Sequence, residues 1–276
     1  MHESYYNLWY YKSKQNLWER LDSIYSSLAK AAVLKVRTGE SAGLDSIAAI
    51  AKSKEINIQL NLLKRDIVKE QQTLKKLLNT SETYLPEVGN LQKIKLQTND
   101  SILDNNPKIL LQKQNIIISQ KEIVLQKQNR NPNFEGRFFS QRLYGVKDPL
   151  SGFSVSVGLP IFGINAYRNK IKAAEVEMDY QKYILDNESL NINTIFKNAL
   201  EDLEKDIELL NYYETTGLIQ AEAIIKSSNI AYRSGEISFA ELSQYLTQAI
   251  DIRKNHLEIL NQYNHSVIYL NYLINK

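Results

Sequence analysis

The chain has 276 residues, 24% of them charged, and its 34 basic and 31 acidic side chains nearly cancel to a net charge of +3. No block of like charge stands out, so nothing asks for a nucleic-acid partner. There is no cysteine, which excludes a disulfide frame and a thiolate metal site; there is also no run of about 18 apolar residues, as a membrane-spanning helix would need.

Met1-His2-Glu3-Ser4-Tyr5 has neither the basic start nor the apolar core of a secretory leader. Residues 3 to 36 are predicted helical, because Leu17, Leu21, Ile24, Leu28, Ala31 and Leu34 recur at three- and four-residue steps. Arg37-Thr38-Gly39-Glu40-Ser41 interrupts the pattern. A glycine between two long helical runs marks a reversal, since it takes the left-handed helix cap without steric cost. The basic residue before it suits the negative end of the helix dipole, and the Glu after it suits the start of the next helix. Leu44, Ile47, Ile50, Ala51, Ile58, Leu62, Ile67, Leu74 and Leu78 then carry a second helix to Asn79. Residues 80 to 103, with Pro86 and Gly89, are a connecting segment of little regular structure.

Asp104-Asn105-Asn106-Pro107 opens the next helix, with Asn or Asp as cap and Pro at an early position, and the run from Lys108 to Arg130 ends at Asn131-Pro132. Residues 133 to 160 change character. Phe153-Ser154-Val155-Ser156-Val157-Gly158-Leu159 alternates apolar and small polar residues, the period of a strand with one greasy and one wet face. The segment from Phe134 to Leu143 is its rougher partner, and Gly145 to Gly152, with Asp148-Pro149, supplies the turn. Strands of about 10 residues suit a tilted barrel strand. On alternation alone, a soluble hairpin covering a helix end is the plainer reading.

After Pro160 and Gly163, a proline-free run reaches Tyr232; its roughly 70 residues would extend about 100 Å as one helix. Helices of that length belong to coiled coils or to assemblies that bridge a distance. Arg233-Ser234-Gly235-Glu236-Ile237 then repeats the earlier tip 196 positions later, and Leu242, Leu246, Ile252, Leu257, Leu260, Val267, Leu270 and Leu273 carry a return helix. At the same offset Lys30 falls on Lys226, Leu34 on Ile230, Asp45 on Glu241, Ile56 on Ile252 and Leu74 on Leu270. The chain is therefore expected to be internally duplicated. Residues 1–79 form the second half of a first repeat and 80–103 the connecting segment. Residues 104–276 form a full second repeat of helix, hairpin 133–160, long helix 164–232, tip 233–236 and return helix 237–275. The second copy begins near Asn105, whose counterpart would lie about 90 residues before Met1, so the chain is expected to be a fragment whose leader, if any, belongs with the missing part.

This order of elements resembles the TolC-like outer-membrane efflux proteins. The residues that carry the resemblance are Asn106-Pro107, the hairpin end Val157-Gly158-Leu159-Pro160-Ile161-Phe162-Gly163 with Arg168 and Lys170 after it, and the two tips. The segment from Tyr5 to Tyr84 looks most like members serving heavy-metal exporters of the resistance-nodulation-division type, whose channel part is in some bacteria fused behind the pump. The resemblance implies a mainly α protein of long antiparallel coiled-coil-like helices, with one β-hairpin contributing to a transmembrane barrel in the full trimer. It implies a homotrimer in the outer membrane and periplasm of a Gram-negative bacterium, working with a periplasmic adaptor and an inner-membrane pump, as a passive duct for heavy-metal ions or drugs. Phe153, Val155, Val157 and Leu159 would face outer-membrane lipid, and Ser154, Ser156 and Gly158 the lumen.

The resemblance also implies that Asp45 and Glu241, six residues after the tip glycines, line a periplasmic aperture as a carboxylate ring; the plainer account of them is a solvated carboxylate in the first turns of a helix. Val36, Arg37, Thr38, Gly39 and Tyr232, Arg233, Ser234, Gly235 would meet the adaptor, or else merely turn the chain. A protomer of the family needs two hairpins and this chain has one, so the chain as given is not expected to form a working pore; a discrete, steady conductance from it would overturn the fragment expectation. The alternative is a soluble coiled-coil scaffold or adaptor-like protein without a barrel. No cofactor or metal is expected: His2, His256 and His265 share no helix face, and methionine occurs only at Met1 and Met178. No phosphate-binding glycine loop or nucleophile elbow is present, so an enzyme is not expected.

Overall fold

The computed structural model describes residues 1–39, 43–86, 89–96, 106–141, 144–145, 150–159 and 164–274. Several positions read in the sequence therefore lie outside the described residues: Glu40, Ser41, Asp104, Asn105, the turn pair Asp148-Pro149, the joint Pro160–Gly163 and Asn275. The elements are α1 (His2–Arg37), α2 (Gly43–Leu78), α3 (Pro107–Gln128), β1 (Asn133–Gln141), β2 (Leu150–Gly158), α4 (Ile164–Tyr212), α5 (Leu218–Ser234) and α6 (Phe239–Leu273). A single π-helical turn, Tyr213–Gly217, joins α4 to α5, so the backbone stays helical from Ile164 to Ser234.

The chain divides into two compact units. The first comprises Met1–Thr98 and Phe196–Ile274. In it α1 packs on α2, α5 on α6, and α6 on α1. Its largest core joins Leu21, Tyr25, Ala29 and Ala32 of α1, Ala49 and Ile56 of α2, Tyr232 of α5, and Phe239, Leu242, Leu246 and Ile250 of α6. Alanines opposite aromatic rings let the helices approach closely, as dense interior packing requires.

The phase of the buried stripe differs from the sequence expectation. On α1 the buried line is Leu8, Leu21, Tyr25, Ala29 and Ala32, whereas Ile24 and Leu34 face outward. On α2, Ile56, Leu60, Leu63, Ile67 and Leu74 are buried, while Leu44, Ile47, Ile58 and Leu62 form a separate exposed line. Apolar periodicity merged two faces, because spacings of three and four residues admit either.

The connecting segment is irregular but tied down. Leu91 is buried beside Tyr10, Leu210 and Leu260. Trp9 Nε1 donates to the Gly89 carbonyl at 3.1 Å, and Leu91 N–H donates to Ser13 Oγ at 2.9 Å. Asn264, fully buried on α6, accepts from Ile94 N–H at 2.9 Å and donates to the Gln92 carbonyl at 2.8 Å. One amide side chain thus satisfies a donor and an acceptor in a segment with no ladder of its own. Asn264→Leu keeps the branched skeleton and orphans both groups, so it is expected to lower stability by at least about 2 kcal/mol. Urea denaturation and tryptic nicking at Lys93 and Lys95 measure this; an unchanged protein in both assays would show that Asn264 does not hold the segment.

The π turn lies where Gly217 meets α6. A Cβ at Gly217 would come within 3.3 Å of Ile252 Cγ2, so a side chain there would crowd the contact.

The second unit is Asn99–Ile195. Asn106 caps α3, its side chain accepting from Lys108 N–H at 3.0 Å, with Pro107 at the first helical position, where the missing N–H costs nothing. Ile109 and Ile123 are buried on α3, and Gln112 Nε2 donates to the carbonyl and side-chain oxygens of Gln181 on α4 at 3.0 and 2.7 Å. β1 and β2 form a two-stranded antiparallel hairpin running from Asn133 opposite Gly158 to Gln141 opposite Leu150.

Candidate functional site

The two tips are built alike. Gly39 and Gly235 have φ of 77° and 81°, the left-handed conformation that glycine takes freely. Gly39 N–H bonds the Val36 carbonyl at 3.2 Å; Gly235 N–H bonds that of Tyr232 at 3.3 Å, and Glu236 N–H that of Ala231 at 2.9 Å. Such bonds satisfy the last carbonyls of a helix.

The start of α6 differs from the expectation. Glu236 stays in the tip, and α6 is opened instead by Ser238 and Glu241. Ser238 Oγ accepts from Glu241 N–H at 3.3 Å, and the Glu241 carboxylate accepts from Ser238 N–H at 2.8 Å and from its hydroxyl at 2.9 Å. This reciprocal pair closes two orphan donors. The Ser-x-x-Glu spacing, legible in the sequence, was its signal. The bonds from Ser238 hold the Glu241 carboxyl below its ordinary range, and the residue remains exposed at the tip. Asp45 is half-buried in the first turn of α2.

Six of the eight tip residues, Arg37, Thr38, Gly39, Arg233, Ser234 and Gly235, are exposed, and Val36 is partly so. Tyr232 is buried. Its ring meets Phe239 edge-on with centroids 6.3 Å apart, and Lys35 Nζ lies 4.5 Å from its centroid. This cation–π contact sets the end of α1 beside the end of α5. Burial first, and then the nearby Asp45 charge, pushes the Tyr232 phenol up.

The hairpin is two-faced. Cross-strand partners share a face, so Phe134 with Val157, Gly136 with Val155, and Phe138 with Phe153 form one side. The large side chains of that face are 52–72% exposed, and Leu159 beyond it is 58% exposed. The other face pairs Asn133 with Gly158, Glu135 with Ser156, Arg137 with Ser154, and Phe139 with Gly152. Phe139 lies across Gly152, where a Cβ would come within 2.5 Å of the ring. Glycine there lets the ring lie over the backbone.

Among the described residues no helix is long and apolar enough to cross a membrane, and no three His, Cys, Asp or Glu side chains converge as metal ligands.

Several solved structures share this architecture. The chain superposes on CusC, whose structures follow folding and transmembrane channel formation, with a TM-score of 0.85 and 16% identity over 99% of its length and 66% of CusC. It matches the outer-membrane protein VceC of Vibrio cholerae at 0.83 and 11% identity, covering 99% of this chain and 68% of VceC. It matches the Campylobacter jejuni outer-membrane channel CmeC at 0.83 and 14%, covering 99% and 61%. The fold is TolC-like. No protein-family model matches the sequence, and no curated protein matches it. The chain spans 61–68% of the length of these three proteins.

A TolC-like fold combines a helical tunnel with a barrel part, and the helices and hairpin of this chain correspond to the two. Sequence reading missed Asn264. Its signal was an asparagine between Leu260 and Val267, on the apolar line of α6, a position that a polar residue occupies only with a specific partner.

Proposed function

We propose that the chain is the outer-membrane exit-duct component of a tripartite efflux system, a passive conduit for heavy-metal ions or drugs. It sits in the outer membrane and periplasm of a Gram-negative bacterium, as part of a homotrimer engaged by a periplasmic adaptor and an inner-membrane pump. The observation that carries this reading is the hairpin: one face wholly apolar or small and open, the other carrying both charges and the paired serines beside Phe139, in a chain with a TolC-like fold. An exposed apolar ribbon is a liability in water. In a closed barrel it becomes the lipid face, and the polar side lines the lumen. The exposed residues Arg37, Thr38, Arg233 and Ser234 offer the adaptor its contact, with Gly39 and Gly235 shaping it and Val36 at its edge. Tyr232 supports that surface from beneath. Asp45 and Glu241 stand near the tunnel end as candidates for an aperture ring, Glu241 combining this with its capping role. Transport by diffusion through a pore asks no chemistry of the protein.

Single cysteines test the reading. In membranes, Ser154→Cys and Ser156→Cys are expected to react with a water-soluble maleimide, and Val155→Cys and Val157→Cys to stay unlabelled until detergent is added. Equal labelling of all four would overturn the channel and favour a soluble scaffold.

A further inference from the structure

We propose that Glu135 and Arg137 jointly set the charge selectivity of the barrel, each cancelling the other on its water-facing side. This rests on the channel reading above, which decides which hairpin face meets water.

Glu135 and Arg137 stand two apart on β1 and therefore on one face, with Ser156 and Ser154 directly across. The other described positions on that face, Asn133, Phe139, Gln141, Gly152 and Gly158, carry no charge. The apolar face, Phe134, Gly136, Phe138, Ser140, Ser151, Phe153, Val155 and Val157, carries none either. All charge on the described strands is this single pair. Arg137 Nη2 lies 2.8 Å from Glu135 Oε1, and the two side chains are 70% and 57% exposed.

An ion pair so open to water adds little stability, so folding does not account for it. A fixed charge in a water-filled lumen with low-dielectric walls acts strongly on passing ions, and rings of one sign select by charge. A close pair acts as a dipole whose field fades within a few ångströms. An ion in the lumen then meets neither a cation nor an anion filter at this level, and the barrel leaves any charge selection to the aperture end of the duct. Removing one member leaves one fixed charge per hairpin.

The test is the reversal potential of the full protein in planar bilayers under a dilute KCl gradient. Arg137→Gln is expected to shift the potassium-to-chloride permeability ratio toward potassium by about sixteenfold, since a unit charge about 5 Å away in water raises potassium and lowers chloride about fourfold each. Glu135→Gln is expected to shift it toward chloride by a similar factor, and the double variant to return to the unaltered value. In molar salt, where the screening length falls to about 3 Å, all four proteins converge. Conducting single variants whose ratio does not move, or moves in the same direction in both, overturn the inference and leave the channel reading standing. Equal labelling of the four cysteine positions takes down the channel reading and the inference with it.

Discussion

Val157→Arg is expected to remove the protein from the membrane fraction, while Ser156→Arg next to it leaves insertion intact. The two positions are adjacent in sequence and opposite in facing, since Val157 pairs with Phe134 and Ser156 with Glu135. An arginine on the lipid side of a barrel strand costs about 2–4 kcal/mol at the bilayer midplane. The same side chain on the lumen side stays hydrated. Val155→Arg, on the Val157 face opposite Gly136, is expected to behave as Val157→Arg does. Fractionation and detergent extraction measure insertion, and far-UV circular dichroism confirms that the helices persist. If the two arginines behaved alike, facing would not govern the outcome and the hairpin would not be a barrel ribbon.

Phe239→Ala is expected to destabilise the tip end of the helical unit by about 3–5 kcal/mol, the usual cost of truncating a buried phenylalanine. Phe239 is 1% exposed and meets Tyr232 across the turn, in a core that also takes side chains from α1 and α2. All four helices contribute to the core that contains this ring. Chemical denaturation reports the loss, and faster tryptic cleavage at Arg37 and Arg233 reports its place. A shift below about 1 kcal/mol would mean that the four ends do not share a core and that the surroundings collapse without cost.

Much of the fold was legible because its signals are local. Gly39 and Gly235 had to adopt a conformation that other residues resist, so the reversals could be read from two letters. Asn106-Pro107 was legible as a helix start because cap and first-turn chemistry involve only neighbours. Alternation from Phe153 to Leu159 identified a two-faced strand because its period is set by backbone geometry alone.

What lay beyond the sequence was decided between elements. Periodicity could not say which of two apolar lines on α2 would be buried, since that depends on where α1 lies. Tyr232 reads as a tip residue, yet its ring is buried by Phe239 and Lys35, which are near only once the helices pack. The irregular segment is held by Asn264, 170 positions from Ile94. The register decided what lies across from the hairpin's charges, setting Ser156 opposite Glu135 and Ser154 opposite Arg137.

The amino-acid order by itself determined the helices, the reversals and the strand period, because each follows from backbone sterics within a few residues. Tertiary structure alone decided which apolar face is buried, which polar group ties down the loop and which β2 residues lie across from each β1 residue. Those outcomes depend on distances between groups far apart along the chain, and only the packed helices and the paired strands set such distances.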